Sequence, residues 1–214
     1  MAKIKITLTE FVDFVTRSGT PKLTVVRQAK KRHAVGYSPQ MDFYKPLRER
    51  LVALHKNEQA KASLDDLLGQ LTDKKKRAAY PELIEGYKRF LGRKNLRWFN
   101  PPHGVWECAG LTVSIRPELG LIMGGTQHVV KLYFKSEKPS KLRMDTILQL
   151  MEAVLGEKGG PYKFGVLDVR NARLVSSTGF NPGLMPLLEG ESQSFETIYD
   201  QVQLEAPVAA GAVE

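Results

Sequence analysis

An α+β fold is predicted, and three observations predict it. Up to about residue 96 the apolar residues recur at helical spacing; from about 97 to 175 their period changes to two; and one more amphipathic segment follows a Gly- and Pro-rich loop near the end of the chain. A helical N-terminal part is therefore expected to pack on a small, mainly antiparallel or mixed sheet, with a C-terminal helix closing it. The expected organisation is a basic helical part over 1–96, a sheet-containing core over 97–175 that also takes in a helix at 81–91, a loop and helix over 176–205, and a frayed tail over 206–214.

Thr7-Leu8-Thr9-Glu10 is a capping box, and Phe11, Phe14 and Val15 follow it on one face of a helix. Ser18-Gly19-Thr20-Pro21 ends that helix. Leu23-Thr24-Val25-Val26 fits either a short strand or the start of another helix. Met41 to His55 reads as a helix, with Phe43, Leu47, Leu51 and Leu54 on one side and Pro46 near its first turn. Leu64 to Leu71 is a short helix with Asp65 and Asp66 near its start. Pro81 takes the favoured first position of a helix that runs to Leu91, with Leu83, Ile84, Tyr87 and Leu91 as its apolar stripe.

In the second zone Val105 to Cys108 and Leu111 to Arg116 read as strands, the latter alternating Leu111, Val113 and Ile115 with Thr112, Ser114 and Arg116. Leu119 to Met123 and His128 to Lys135 form a hairpin about Gly124-Gly125. A two-residue turn there sets Met123 opposite Thr126 and Glu118 opposite Lys131, and residues 111–135 are expected to pair continuously and antiparallel. Ser140 caps a helix over Leu142 to Leu155, Gly159-Gly160-Pro161 breaks the chain, and Phe164 to Val169 with Ala172 to Val175 form a last strand or hairpin about Asn171. The closing helix spans Leu187 to Val202, with Phe195, Ile198, Tyr199 and Val202 as its apolar contacts.

Hydrophobic residues make up 42% of the 214, enough for a real core, yet no apolar run approaches the ~18 residues of a membrane span. The lysines of the N-terminus are followed by no h-region, so no signal peptide is expected. A single cysteine, Cys108, forms no internal disulfide and points to a reducing compartment, with cytoplasm as the expected location and no membrane partner.

The net charge of +9 is unevenly placed. Arg17 to Arg97 holds 20 Lys and Arg against 8 Asp and Glu, whereas no Lys or Arg occurs from Ser176 onward. That asymmetry suggests a half that faces a polyanion, DNA or RNA, and an acidic end that could dock on a basic protein. Three basic runs are candidate phosphate contacts: Arg27, Lys30, Lys31 and Arg32 with His33; Lys74, Lys75, Lys76 and Arg77 beside Tyr80; and Lys88, Arg89, Arg93, Lys94 and Arg97 beside Trp98 and Phe99. Basic residues interleaved with aromatics suit phosphate pairing with base stacking; the same pattern also describes a solvated helix face with its aromatics in the core.

Other chemistries find no motif. Gly156 to Gly160 has the wrong spacing for a phosphate loop, and neither G-x-G-x-x-G nor G-x-S-x-G occurs. His33, His55, His103 and His128 are scattered and give no zinc signature with one cysteine. His128 falls on the apolar side of its strand, as a satisfied core histidine would.

Glu118 beside Lys131 reads in two ways: as an ordinary cross-strand ion pair, or as the acid and lysine of a metal-dependent nuclease site. The order helix (81–91), strands (105–135), helix (142–155), strand (164–169) resembles the αβββαβ core of the PD-(D/E)XK nuclease superfamily over about half the chain. That resemblance implies an acid near the second strand, an acid-x-lysine triplet on the third, often a helix glutamate, and Mg²⁺ held by the acids for phosphodiester hydrolysis. Carried over, Glu118 takes the strand acid, Glu82 or Glu85 the helix glutamate, and Lys131 or Lys135 the lysine that assists the attacking water. Asp168 is a second acid that could complete a metal site with Glu118. The triplet position reads Lys131-Leu132-Tyr133 or Tyr133-Phe134-Lys135, and neither begins with an acid. One carboxylate between two lysines holds Mg²⁺ poorly, because the cations compete for it. The expectation is a nucleic-acid-associated protein with a degenerate, inactive nuclease-like core; an interaction module with an acidic C-terminal helix and an active Mg²⁺-dependent nuclease are the alternatives.

Overall fold

The structure is a computed structural model and describes residues 4–36, 42–156 and 160–204. The chain opens with strand β1 (Ile4–Thr7) and passes directly into helix α1 (Leu8–Val15). Thr7 ends the one and caps the other. Its hydroxyl accepts from the Glu10 N–H at 3.3 Å, and Glu10 Oε2 accepts from the Thr7 N–H at 2.8 Å, the predicted capping box. The strand is an addition to a region read as mostly helical. Its partner, β4 (Leu111–Ile115), runs parallel to it with Ile4 opposite Leu111, and a four-residue strand paired so far downstream leaves little local signal.

Helix α2 (Thr20–Val35) takes in residues 23–26 and so decides between strand and helix there. Helix α3 (Lys45–Lys56) carries Pro46 in its first turn as expected; Met41, the predicted start, lies outside the described residues. A 3₁₀ turn over Lys61–Leu64 and the short α4 (Asp66–Gln70) follow. Helix α5 (Lys74–Leu91) starts a full two turns before Pro81, which corrects the start read from that proline. Asp73 is the cap, its carboxylate accepting from the Lys75 and Lys76 N–H groups at 2.7 and 3.1 Å. Pro81 falls on the exposed side of α5, where water can meet the Arg77 carbonyl that the proline leaves without an N–H.

Two sheets follow instead of one. The first has order β1-β4-β3, with β3 (Gly104–Cys108) antiparallel to β4. The second has order β2-β5-β6-β7-β8, built from β2 (Arg97–Trp98), β5 (Leu119–Met123), β6 (Thr126–Tyr133), β7 (Lys163–Asp168) and β8 (Arg173–Ser176). Continuous pairing over 111–135 is therefore corrected: the chain changes sheets at Arg116–Glu118, where Pro117 has no N–H to donate to a ladder. The hairpin itself has the predicted register, with Met123 opposite Thr126. Gly124 at φ 57° and Gly125 at φ 82° supply the two positive φ angles that such a tight turn requires. Helix α6 (Lys141–Leu155), capped by Ser140, crosses from β6 to the parallel β7. Helix α7 (Met185–Gln201) closes the fold, and the tail over 206–214 lies outside the described residues.

The five-stranded sheet is the wall between two cores. By the period of a strand, Val129 and Tyr133 of β6 face one core while Val130 and Leu132 face the other. The first core joins α1, α2, α6, α7 and the three-stranded sheet, with Phe14 against Phe195 at 5.0 Å and Phe11 against Trp106 at 5.3 Å. The second joins α3, α4 and α5, where Leu47, Leu51, Leu83 and Ile84 are fully enclosed. No helix among the described residues is long and apolar enough to cross a membrane.

Candidate functional site

Glu118 immediately precedes β5 and lies beside Lys131 of β6, as the register predicts. Lys131 Nζ donates to Glu118 Oε1 at 2.5 Å and to the Arg116 carbonyl at 3.1 Å. Glu118 Oε2 accepts the main-chain N–H of Leu132 at 2.8 Å, so the carboxylate acts as a ladder partner just before β5 begins. Both side chains of the pair are largely buried, at 11% and 13% exposure. Glu118 also lines a cleft of about 370 Å³ whose other wall is the outer face of α3, from Arg48 to Asn57. Glu49 is the second carboxylate of that cleft, and Arg48 and Lys56 bring two cations to it. Sequence reasoning missed the α3 residues, because a polar stripe on a helix has the same pattern whether it meets solvent or a cleft.

The other residues that the nuclease resemblance assigns lie in separate contacts. Lys135 pairs with Asp13 of α1 at 2.5 Å, and the same Asp13 oxygen accepts from Arg143 of α6 at 2.5 Å. Arg143 is buried, reaches Thr16 Oγ1 at 2.9 Å and lies over the Tyr133 ring. Burial pushes the Tyr133 hydroxyl up to about 12, against the pull of Arg143. Asp168 is buried and turns back on its own loop, accepting from the Asn171 N–H at 3.3 Å and from Asn171 Nδ2 at 2.8 Å. Glu82 pairs with Arg170, and Glu85 with Lys88 at 2.9 Å, both on the solvent side of α5. Among the described residues no three His, Cys, Asp or Glu side chains form a group that could hold a metal ion. A hard divalent cation takes six or more oxygens, and a cation at either Glu118 oxygen would compete with Lys131 or the Leu132 amide. The donor set does not fit Mg²⁺.

The histidines divide by environment. His55 of α3 is buried and bonds Tyr87 of α5, Nε2 to the hydroxyl at 2.6 Å. Burial pulls the imidazole down to about 4 and pushes the Tyr87 hydroxyl up. His128 is half-buried on the face of the sheet that carries Leu121, and its Nδ1 is enclosed with no hydrogen-bond partner, which corrects the expectation of a satisfied histidine. Burial, with Lys163 adding to it, holds His128 below its ordinary range.

Of the eleven candidate phosphate contacts, four are engaged within the chain. Lys30 donates to the Tyr199 and Val202 carbonyls at 2.7 and 2.9 Å, at the C-terminal end of α7. Arg32 pairs with Glu10, Arg77 Nε donates to the Leu71 carbonyl at 2.5 Å, and Lys94 bonds the Phe90 carbonyl while lying over its ring. The other seven, Arg27, Lys31, Lys74, Lys75, Lys76, Arg93 and Arg97, make no side-chain hydrogen bond or ion pair among the described residues. All of them except the half-buried Lys76 are exposed. Trp98 packs against the second core and Phe99 against the first, stacked on Tyr162 with 2° between the rings. The acidic α7 meets α2 of the same chain, with Glu191 to Lys22 at 2.5 Å and the Tyr199 hydroxyl to His33 Nδ1 at 2.8 Å.

No family model matches this sequence, and no curated protein sequence matches it.

Proposed function

We propose that this protein associates with nucleic acid through unpaired lysines and arginines, and that its nuclease-like element order serves as a scaffold without hydrolytic activity. The observation that carries the reading is the set of seven cations without a side-chain hydrogen bond or ion pair among the described residues, in a chain of net charge +9. Such side chains are available to phosphates and release condensed counterions when they meet them. The donor set at Glu118 supports the non-hydrolytic half, since Lys131 and the Leu132 amide already hold the carboxylate. The competing idea, an acidic C-terminal helix that docks on another protein, is weakened because α2 already supplies α7 with a basic partner.

Fluorescence anisotropy with labelled DNA and RNA at low ionic strength tests the reading. Binding with little sequence preference is expected, with a Kd that rises steeply as salt is added. No binding at low salt overturns the reading and leaves the interaction module in its place. A purified sample that cleaves nucleic acid with Mg²⁺ or Mn²⁺, and loses that activity in Glu118→Gln, overturns the non-hydrolytic half alone.

A further inference from the structure

The seven available cations are not spread evenly. Five of them flank one element, with Lys74, Lys75 and Lys76 in the first turn of α5, Arg93 two residues past its last residue, Leu91, and Arg97 at the start of β2, the next element. An 18-residue helix at 1.5 Å per residue separates the two groups by about 27 Å. Each group is an excess of positive charge. At the first, Arg77 adds a fourth cation and Asp73 is the acid that caps the helix. At the second, Lys61 and Lys94 bond the terminal carbonyls of Gly92 and Phe90, which leaves Arg93 and Arg97 outward.

Between the groups the exposed side of α5 is balanced. Glu82, Glu85 and Asp65 are matched by Arg170, Lys88 and Arg89, with Lys88 held between Asp65 at 2.7 Å and Glu85 at 2.9 Å and Arg89 tied to the Arg170 carbonyl. The arrangement runs against the needs of the helix itself. Lysines in a first turn oppose the helix dipole, and the Lys75 and Lys76 amides are already occupied by Asp73, so the lysine side chains are the groups best placed to grip a ligand.

We infer that α5 is a two-point clamp for a double-stranded nucleic acid, one phosphate grip at each end and a neutral span between. The inference rests on the nucleic-acid reading above and adds the form of the ligand and the element that takes it. A span of about 27 Å is covered by roughly 8 base pairs of duplex DNA at 3.4 Å per step. A duplex is stiff over that length and offers both phosphate groups at once, whereas a single strand must be ordered before it can. Two grips that engage together gain on one by a factor of about 10² or more, provided that the ligand reaches both.

The test is a length series: DNA duplexes of 6, 8, 12 and 16 base pairs, matching RNA duplexes, and the corresponding single strands, titrated against the full chain and against Lys74→Ser/Lys75→Ser/Lys76→Ser. Lys74 and Lys75 are exposed and Lys76 is half-buried, and circular dichroism checks that the variant is folded. The full chain should gain about a hundredfold in affinity between the 6- and 12-base-pair duplexes and change little beyond. The slope of log K against log salt should steepen across the same step, toward roughly −4.5 for five neutralised phosphates. The triple variant should bind the 6- and 12-base-pair duplexes almost alike. A step with either DNA or RNA supports the clamp and names its ligand. Affinity that grows only in proportion to length, single strands bound as tightly as duplexes, or an unaltered step in the variant each overturn the clamp and leave general nucleic-acid binding standing. Failure of every oligonucleotide to bind overturns both.

Discussion

Helices α2 and α5 are both rich in lysine and arginine, and they use that charge in opposite ways. In α2 the charge faces inward as well as outward. Lys22, Lys30, Arg32 and His33 reach Glu191, the last carbonyls of α7, Glu10 and the Tyr199 hydroxyl, while Arg27 and Lys31 point away. In α5 the buried side is apolar, with Leu83, Ile84, Tyr87 and Phe90, and the unpaired cations gather at the helix ends. The difference lies in what each helix packs against. Helix α7 is acidic and offers unsatisfied carbonyls at its C-terminal end, which cations can meet. Helices α3 and α4 and the five-stranded sheet offer leucines, which cations cannot. A basic run in a sequence sums internal and external charge, and only the neighbouring element divides the two.

The largest effect expected from this contrast is on the apolar side. The α3–α5 contact buries one titratable pair, His55 and Tyr87. Burial holds His55 at about 4 in the folded chain, below its ordinary 6.5, so the unfolded chain binds the extra proton first. The stability tied to the neutral imidazole is thus fully present above pH 6.5 and is lost as the pH falls toward 4. The loss amounts to about 3 kcal/mol at most. Urea unfolding at steps between pH 7 and 4 measures it, with His55→Gln as the reference that lacks the titration. Parallel pH profiles for the two proteins would show that acid does not act through this interface.

The polar side comes next. Lys30→Met removes a charged donor from two carbonyls of α7 and should cost about 2 kcal/mol. Arg27→Met, one turn away on the outward stripe of the same helix, should change stability by less than about 0.5 kcal/mol. Thermal unfolding of the two variants compares them directly. Equal losses would mean that the α2–α7 contact does not depend on Lys30.

The two halves were also unequally legible in the sequence. The hairpin about Gly124-Gly125, its register and the Glu118–Lys131 neighbours could be read because every determinant is local: a turn that demands positive φ and a period of two on either side. The capping residues Thr7 and Ser140 were legible for the same reason. Asp73 was not, because Pro81 gives the stronger start signal and masks a cap two turns earlier. The division into two sheets was hidden because β1 and β4 meet across about half the chain. At the site, Asp168 looked like a ligand beside Glu118, yet its Asn171 partner is a turn contact that any Asp-x-x-Asn sequence can make. Asp13, which gathers both Lys135 and Arg143, gave no signal at all, since a residue of α1, one just past β6 and one of α6 share no spacing.

Glu118 lies on the wall between the halves and should respond with an intermediate loss. Glu118→Gln keeps an oxygen for the Leu132 amide but removes the charge opposite Lys131. About 1 kcal/mol of destabilisation is expected, since the pair is well buried but Lys131 retains the Arg116 carbonyl. Chemical denaturation measures it. The double variant Glu118→Gln/Lys131→Met should recover part of the loss, and a double variant that is worse than the single one would show that the lysine does more than balance Glu118.

The smallest expected effect sharpens the contrast most, because three cations are removed at almost no net cost. Lys74, Lys75 and Lys76 make no side-chain hydrogen bond or ion pair among the described residues, so Lys74→Ser/Lys75→Ser/Lys76→Ser breaks no such bond and gives up only the attraction of Lys75 and Lys76 for the Asp73 carboxylate. The variant also relieves three positive charges in the first turn of α5, where the helix dipole disfavours them, and leaves Asp73 in place as the cap. Against this stands the slightly lower helix propensity of serine. The sum is a stability within about 0.5 kcal/mol of the parent, in contrast to the loss in Lys30→Met. Screening separates the two contributions. The relief of charge should fade as salt is added while the propensity term persists, so the variant should compare best with the parent at low ionic strength. Thermal unfolding at low and high salt supplies the comparison. A loss of several degrees at low salt would mean that these lysines hold the fold together after all, and α5 would then resemble α2 in how it uses its charge.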